Sequence, residues 1–265
     1  MSYRTSEQEA AFFKENGYLI IPRQIFAPEK FERLKAHSEK LFAEASTPGQ
    51  RHPALIDCPH WRDPALFEWI AAPEMLDLVE PIIGPDIAIF ACHFLQKPPA
   101  VGQRVPWHED SAYWKKILDP LVVASVTIAF TPATPDNGCL RVIPGSQRHG
   151  YSDYAAVSNP DEQVFPIEIL QEQMDESKAV DIVLDTGQAS LHDGRIIHGS
   201  APNTGAMGRS CLTVRYFPTT TKFDRSQWAN STFHVFLVRG QDHAGNEYSN
   251  PQNVHEPLDP RTTTA

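Results

Sequence analysis

Ile87-Ala88-Ile89-Phe90-Ala91-Cys92-His93-Phe94-Leu95 is the stretch on which the fold turns. It is apolar, carries β-branched and aromatic side chains, and holds neither Gly nor Pro, the signature of a buried strand. Gly84-Pro85-Asp86 stands directly before it and punctuates the chain. Upstream of that punctuation the pattern is helical. Ser6 followed by Glu9 is a capping box, and Gly17 stops the helix that Phe12 and Phe13 belong to. Tyr18 to Pro22 reads as a brief strand. Pro28 opens a second helix with Phe31, Leu34, Leu41 and Phe42 at helical spacing, and residues 64–84 read as another.

Downstream the period changes. Leu121–Phe130, Gly138–Ile143, Val180–Leu184, Gln188–His192 and Ser210–Pro218 are strand-like, separated by turns rich in Pro, Gly, Asn and Asp. Short strands of this kind build a sandwich or barrel. Residues 149–179 are polar, acidic and weakly periodic, which suggests a lid or binding loop. The expected layout is one domain over 1–265. It has a helical N-terminal part (about 6–84), a β core (about 86–220) and a C-terminal extension (221–265) whose tail beyond Pro251 is mobile.

The formal charge of −10 argues against a nucleic-acid partner, since phosphate neutralisation needs clustered Lys and Arg. No apolar run approaches the roughly 18 residues that a membrane helix requires. The opening residues lack the apolar core of a signal peptide. The four cysteines (Cys58, Cys92, Cys139, Cys211) are scattered, as reduced thiols in a cytosol would be. A cytoplasmic chain with a small-molecule substrate is the expectation.

Trp107-His108-Glu109-Asp110-Ser111 carries the chemistry. On a strand, residues i and i+2 share a face, so His108 and Asp110 can grip one ion with Glu109 turned away. His198, brought in from another strand, makes a third ligand. Two imidazoles and one carboxylate leave open positions on an iron, the arrangement of non-haem Fe(II) oxygenases. The alternative is a plain hydrogen-bonded His-Asp pair near a turn, for the chain has 11 histidines.

Three motifs in order resemble the phytanoyl-CoA dioxygenase family of Fe(II)/2-oxoglutarate oxygenases. They are Trp107-His108-Glu109-Asp110-Ser111-Ala112-Tyr113-Trp114, the run Asp136-Asn137-Gly138 through Pro144-Gly145-Ser146, and His198-Gly199-Ser200 leading to Arg209. The resemblance covers about residues 7–220 and implies a double-stranded β-helix, the cupin-like jelly roll, with flanking helices. It implies Fe(II) held by His108, Asp110 and His198, and 2-oxoglutarate held by Arg209 and Ser200, with O2 as co-substrate. Arg209 suits that task because a guanidinium holds a carboxylate through two parallel hydrogen bonds. The implied reaction releases succinate and CO2 and hydroxylates an unactivated C–H bond. A carboxylate at Asp110 favours oxygenation over halogenation. Desaturation, ring formation and epimerisation use the same machinery, and a cupin-like metal enzyme without 2-oxoglutarate would share the fold.

Other positions keep two readings each. His93 lies where the family places a co-substrate contact, or is a core histidine. Thr127 falls on the strand after the metal motif, where some relatives carry an aromatic residue beside the co-substrate, and a threonine there either leaves more room or supplies a hydroxyl. Arg141 faces either the cavity, to meet an acidic substrate, or water. Trp114 and Tyr113 wall a substrate pocket or belong to the core. His192 is a structural neighbour of the metal rather than a fourth ligand, since catalysis needs open positions. The Asn137-Gly138 and Pro144-Gly145-Ser146 turns shape the barrel.

Overall fold

Ser6 caps the first helix as its spacing to Glu9 requires. Its backbone N donates to Glu9 Oε2 (2.8 Å), and its hydroxyl accepts from the Glu9 N (3.2 Å). Gly17 closes that helix at φ 78, the left-handed region that glycine enters without strain. A Cβ there would also meet the Gln147 side chain at 2.5 Å. The computed structural model describes residues 3–46, 54–100, 102–159, 162–227 and 233–253. The tail expected to be mobile lies, from residue 254 on, outside the described residues.

The helices are α1 (Glu7–Asn16), α2 (Pro28–Ala45), α3 (Phe67–Ile70), α4 (Pro73–Ile83) and α5 (Ser111–Trp114). The strands, in chain order, begin with β1 (Tyr18–Ile21), β2 (Leu55–Asp57), β3 (Ile87–Lys97), β4 (Val105–His108) and β5 (Leu118–Asp119). Then come β6 (Ala124–Ala129), β7 (Leu140–Val142), β8 (Tyr154–Ala156), β9 (Ile167–Ile169) and β10 (Val180–Ile182). The series ends with β11 (Ala189–Asp193), β12 (His198–Ser200), β13 (Arg209–Pro218), β14 (Lys222–Phe223) and β15 (Phe236–Arg239).

The larger antiparallel sheet runs β1-β11-β6-β13-β3-β15, with β2 also on β3; the smaller runs β10-β7-β12-β4. The two stacked sheets with helices outside are a jelly roll. The expected helix over 64–84 is broken instead: Pro73 cannot continue the turn before it, so α3 ends at Ile70 and α4 starts afresh with proline in its first turn. The stretch 149–179, expected as an irregular lid, contains its own ribbon of β8 on β9.

Parity divides the large sheet. Cys92 and Phe94 of β3, Val214 and Leu212 of β13, Val126 and Ile128 of β6 and Leu191 of β11 face outward into one core with Phe31 and Leu34 of α2 and Met75 and Leu78 of α4. Each fully buried side chain of this size contributes roughly 1.5–3 kcal/mol. That outer layer stabilises the sheet well enough for the other face to be polar. The inner rows, read across the paired strands, are Ala91–Arg215–Ser125–His192 and His93–Thr213–Thr127–Ser190, with Lys97 opposite Arg209. Between the sheets, Val142, Ile182, Leu184, Ile196 and Ala129 close one end with apolar packing.

Candidate metal and co-substrate site

β12 pairs with β4 so that His198 stands directly opposite His108. The ring centroids are 4.1 Å apart and both side chains are buried. Each ring is oriented by the carbonyl two residues before it: His108 Nδ1 donates to Pro106 O (2.8 Å) and His198 Nδ1 to Ile196 O (2.9 Å). Both Nε2 atoms are thereby turned away from those carbonyls, and it is Nε2 that a metal would take. Burial, then the neighbouring His108, pushes the His198 pKa well below its usual value, so the ring is neutral. Ser146, in the Pro144-Gly145-Ser146 turn, accepts from the Ile197 N (2.8 Å) and fixes the approach to His198.

Asp110 completes the group. Ligand atoms of His108, Asp110 and His198 all lie within 4.8 Å of one another. The parity argument for Asp110 is corrected by the structure: β4 ends at His108, and Asp110 has helical φ −54, ψ −33 at the start of α5. A turn, not a strand, carries the carboxylate back to the imidazoles. Glu109 does turn away, as expected. It is buried and receives Ser152 Oγ (2.8 Å), while its N donates to Tyr154 Oη (3.1 Å), so it ties the β8–β9 ribbon to the metal strand. Burial raises the Glu109 pKa.

Arg215 grips Asp110 with two donors, Nε to Oδ2 (3.0 Å) and Nη2 to Oδ1 (3.3 Å). Burial opposes ionisation of Asp110, yet this guanidinium and the surrounding donors hold its pKa well below the usual range. Arg215 also donates through Nη1 to His93 Nδ1, and His93 Nε2 lies 2.5 Å from Asp57 Oδ1. Asp57, Cys58 and His93 form a second cluster of ligand-type atoms. Arg215 carries only donors, so His93 Nδ1 accepts and Nε2 keeps its proton for Asp57; both ring nitrogens are in use.

At the other end of β13, Arg209 is buried. Its Nη1 donates to Gly138 O (2.5 Å), Nη2 lies 3.8 Å from Cys211 Sγ, and Nε has no hydrogen-bond partner. The Asn137-Gly138 turn therefore does more than shape the barrel, since it builds the seat of this arginine. Gly138 has φ 72, and a Cβ there would meet Ala201 O at 2.3 Å. Lys97, almost fully buried, donates to Ser200 Oγ (2.6 Å) and Ala201 O (2.5 Å). Burial, then the nearby Arg209 charge, brings the Lys97 pKa down to about 6. A small cavity beside Arg209 is bordered by Thr127, Ser190 and Cys211. Thr127 Oγ1 bonds Thr213 Oγ1 (2.9 Å) on the next strand.

The structure thus brings His108, Asp110 and His198 together, sets Arg209 and Thr127 on one small cavity, and places Ser200 on Lys97, which stands opposite Arg209. His93 sits on the same inner face but is engaged by Arg215 and Asp57. Trp114 packs on Phe90 (5.1 Å) with the Arg215 guanidinium 5.2 Å from its ring. Tyr113 is part exposed beside Phe165, whose ring stands 5.0 Å from His108. Burial, then the Asp110 charge, raises the Tyr113 pKa to about 12. Arg141 is not brought to the site. It lies over the Trp107 ring (5.4 Å) and pairs with Glu176 (2.6 Å) and Asp181 (3.2 Å) at the outer surface. His192 is a neighbour of this group, with Nε2 3.7 Å from Asp110 Oδ2 and, among the described residues, no hydrogen-bond partner for either ring nitrogen. Sequence reasoning missed Lys97 and Arg215. The signal was there in strand parity: Lys97 is four residues beyond His93, and Arg215 six beyond Arg209.

A jelly roll that presents two imidazoles and a carboxylate at one point, with a buried arginine deeper in the barrel, defines the class of non-haem iron oxygenases. The chain belongs to the phytanoyl-CoA dioxygenase (PhyH) family, whose model matches residues 13–211. It is an oxidoreductase that depends on Fe(II) and 2-oxoglutarate. The mouse peroxisomal phytanoyl-CoA dioxygenase is 27% identical over 79% of this chain and 67% of its own. L-proline trans-4-hydroxylase of Streptomyces griseoviridis is 28% identical over 77% of this chain and 83% of its own. Among solved structures, the non-heme monooxygenase ThoJ in its apo form superposes with TM-score 0.73 at 25% identity, covering 93% of this chain and 90% of that one. Among the described residues, no helix is long and apolar enough to cross a membrane.

Proposed function

We propose that this chain hydroxylates an unactivated C–H bond of a small molecule, using His108, Asp110 and His198 to hold Fe(II) and Arg209, Lys97 and Ser200 to hold 2-oxoglutarate. The observation that carries the reading is the pairing of two sites on one inner surface. One offers two imidazoles and a carboxylate with ligand atoms within 4.8 Å of one another. The other offers a buried guanidinium with an unpartnered Nε and a buried lysine. The donor set fits a divalent metal, and the two cations fit a dicarboxylate. When bound, Fe(II) and 2-oxoglutarate supply the activation of O2: the keto acid is oxidatively decarboxylated to succinate and CO2 while one oxygen atom goes to the substrate carbon.

The chain's own contributions are positioning and exclusion of water. His108 and His198 are aimed by their carbonyl bonds, and burial holds His198 neutral. Arg209 offers two-point anchorage of a carboxylate, and Lys97 adds a third donor group. The apolar packing of Val142, Ile182 and Leu184 behind them keeps water from that end. Tyr113, exposed, and Phe165 beside His108 offer aromatic surface that suits a compact organic substrate, while Trp114 is buried against Phe90. The similarity to an amino-acid hydroxylase supports an amino-acid-like or natural-product-like substrate. The acidic balance of the chain disfavours a CoA thioester, whose phosphates would call for a basic entrance. The test is succinate release from 2-oxoglutarate across a substrate panel, with mass detection of a product heavier by one oxygen. Asp110→Ala is expected to abolish succinate formation. Undiminished turnover in that variant would remove Asp110 from the metal set and with it the proposal.

A further inference from the structure

We infer that Arg215 is a positioning residue for the metal-binding carboxylate, and that His93 and Asp57 hold Arg215 in turn. The inference rests on the metal reading of His108, Asp110 and His198 given above. Its starting point is a gap in the local structure. Asp110 sits past the end of β4, at the start of a single helical turn. Its backbone is fixed, with Tyr113 N donating to Asp110 O (3.1 Å) and the next residue's N to Gly194 O (2.7 Å). Within its own segment the nearby side-chain nitrogen is His108 Nε2, 3.7 Å from Oδ1 and too far to set the plane of the carboxylate.

Arg215 supplies that constraint from another strand. Its fork meets both oxygens, and Oδ1, which takes Nη2, is the oxygen 3.7 Å from His108 Nε2. A planar guanidinium with two parallel bonds fixes the rotation of a carboxylate as a single donor cannot. The guanidinium is itself clamped, by the Trp114 ring on one side and by His93 Nδ1 at its free end. Because Arg215 can only donate, His93 is locked as the Nε2–H tautomer, and that proton is taken by Asp57. Four side chains from β2, β3, β13 and the start of α5 form one continuous line, Asp57–His93–Arg215–Asp110. Donor and acceptor alternate along it, with the Arg215 charge set between the carboxylate of Asp110 and, through the His93 ring, that of Asp57.

Outer partners of metal ligands commonly change metal affinity 10- to 100-fold when removed. Arg215 also places a positive charge near the ion, so charge and orientation pull in opposite directions. Two variants separate them. Arg215→Lys keeps the charge and loses the fork; Arg215→Met loses both. If orientation dominates, both weaken binding.

The experiment is anaerobic titration of the full chain with Fe(II), and separately with Mn(II). The variants are Arg215→Lys, Arg215→Met and Asp57→Asn, with thermal midpoints recorded to confirm folding. We expect metal affinity to fall at least tenfold in both Arg215 variants and by a smaller factor in Asp57→Asn. The visible Fe(II)–2-oxoglutarate charge-transfer band should shift or broaden. Wild-type or tighter metal affinity in folded Arg215→Lys or Arg215→Met overturns the inference. Retention of wild-type affinity in Asp110→Ala would instead overturn the metal reading itself, so the two failures are distinguishable. Asp57→Asn, at the far end of the line, keeps the test open should the arginine variants not fold.

Discussion

The two ends of β13 carry an arginine each on the same inner face, and their surroundings are opposite in charge logic. Arg215 is answered at once by Asp110, and beyond it His93 by Asp57. Arg209, six residues away, shares its end with Lys97, and among the described residues neither pairs with a carboxylate. Burying an arginine and a lysine together without a counter-ion costs stability, and the lysine meets that cost by holding its proton only weakly. The structure bears that cost at one end of the barrel and avoids it at the other. The difference bears on the proposed co-substrate site: Arg215 already has a carboxylate partner, whereas the deep end leaves Arg209 and Lys97 available to an anion from outside.

Breaking that contrast at the deep end gives the largest expected effect after loss of a metal ligand. Arg209→Ala should weaken 2-oxoglutarate binding by about 2–4 kcal/mol, the scale of losing a buried charge-assisted pair. Titration of the co-substrate against the iron-loaded protein checks it, and unchanged affinity would mean the carboxylate is held elsewhere.

A sharper version uses Lys97, whose pKa is brought down to about 6 by burial and by Arg209. Above pH 6 the free protein holds this lysine neutral, and a bound dianion draws a proton back onto it. Co-substrate affinity should therefore fall as pH rises from 6 to 8, by no more than about tenfold per unit, with proton uptake on binding. Stability runs the other way. The unfolded lysine keeps its proton up to about 10.5, so the unfolded chain binds more protons between pH 6 and that value. For this residue, stability rises with pH across the window. Affinity measured at several pH values in wild type and Lys97→Met decides the matter: the slope should vanish in the variant, and an identical slope would acquit Lys97.

The smallest effect is expected outside the barrel. Arg141→Ala removes ion pairs with the part-exposed Glu176 and Asp181, each worth at most about 1 kcal/mol. The KM for the organic substrate should stay within about twofold. A large rise in KM, with the thermal midpoint unchanged, would turn Arg141 back towards the cavity.

Much of this was legible in the chain. The candidate ligands His108, Asp110 and His198 stand out by type and order, and the apolar run Ile87–Leu95 announces the longest strand. The reason given for Asp110 was not right, because parity assumed a strand where the chain turns into α5. An unbroken strand from His192 to His198 does not form either; Gly194 lies in a turn that sends β11 and β12 to different sheets. His192 nonetheless arrives beside Asp110 across that turn. Arg141 kept two readings because its partners lie 35 and 40 positions on, and only pairing of β7 with β10 brings Asp181 opposite it. Lys97 and Arg215 look like strand-end charges in sequence. Their burial is decided by strands that come from far along the chain.

The central claim is that one ferrous ion and one 2-oxoglutarate share the inner surface between His108 and Arg209. Anaerobic addition of Fe(II) to the metal-free chain with 2-oxoglutarate present, followed by visible absorption, tests it most directly. A charge-transfer band that requires both components, and that is lost in Asp110→Ala and weakened in Arg209→Ala, is the expected result. Absence of the band in the wild-type chain, or its full persistence in both variants, would contradict the account.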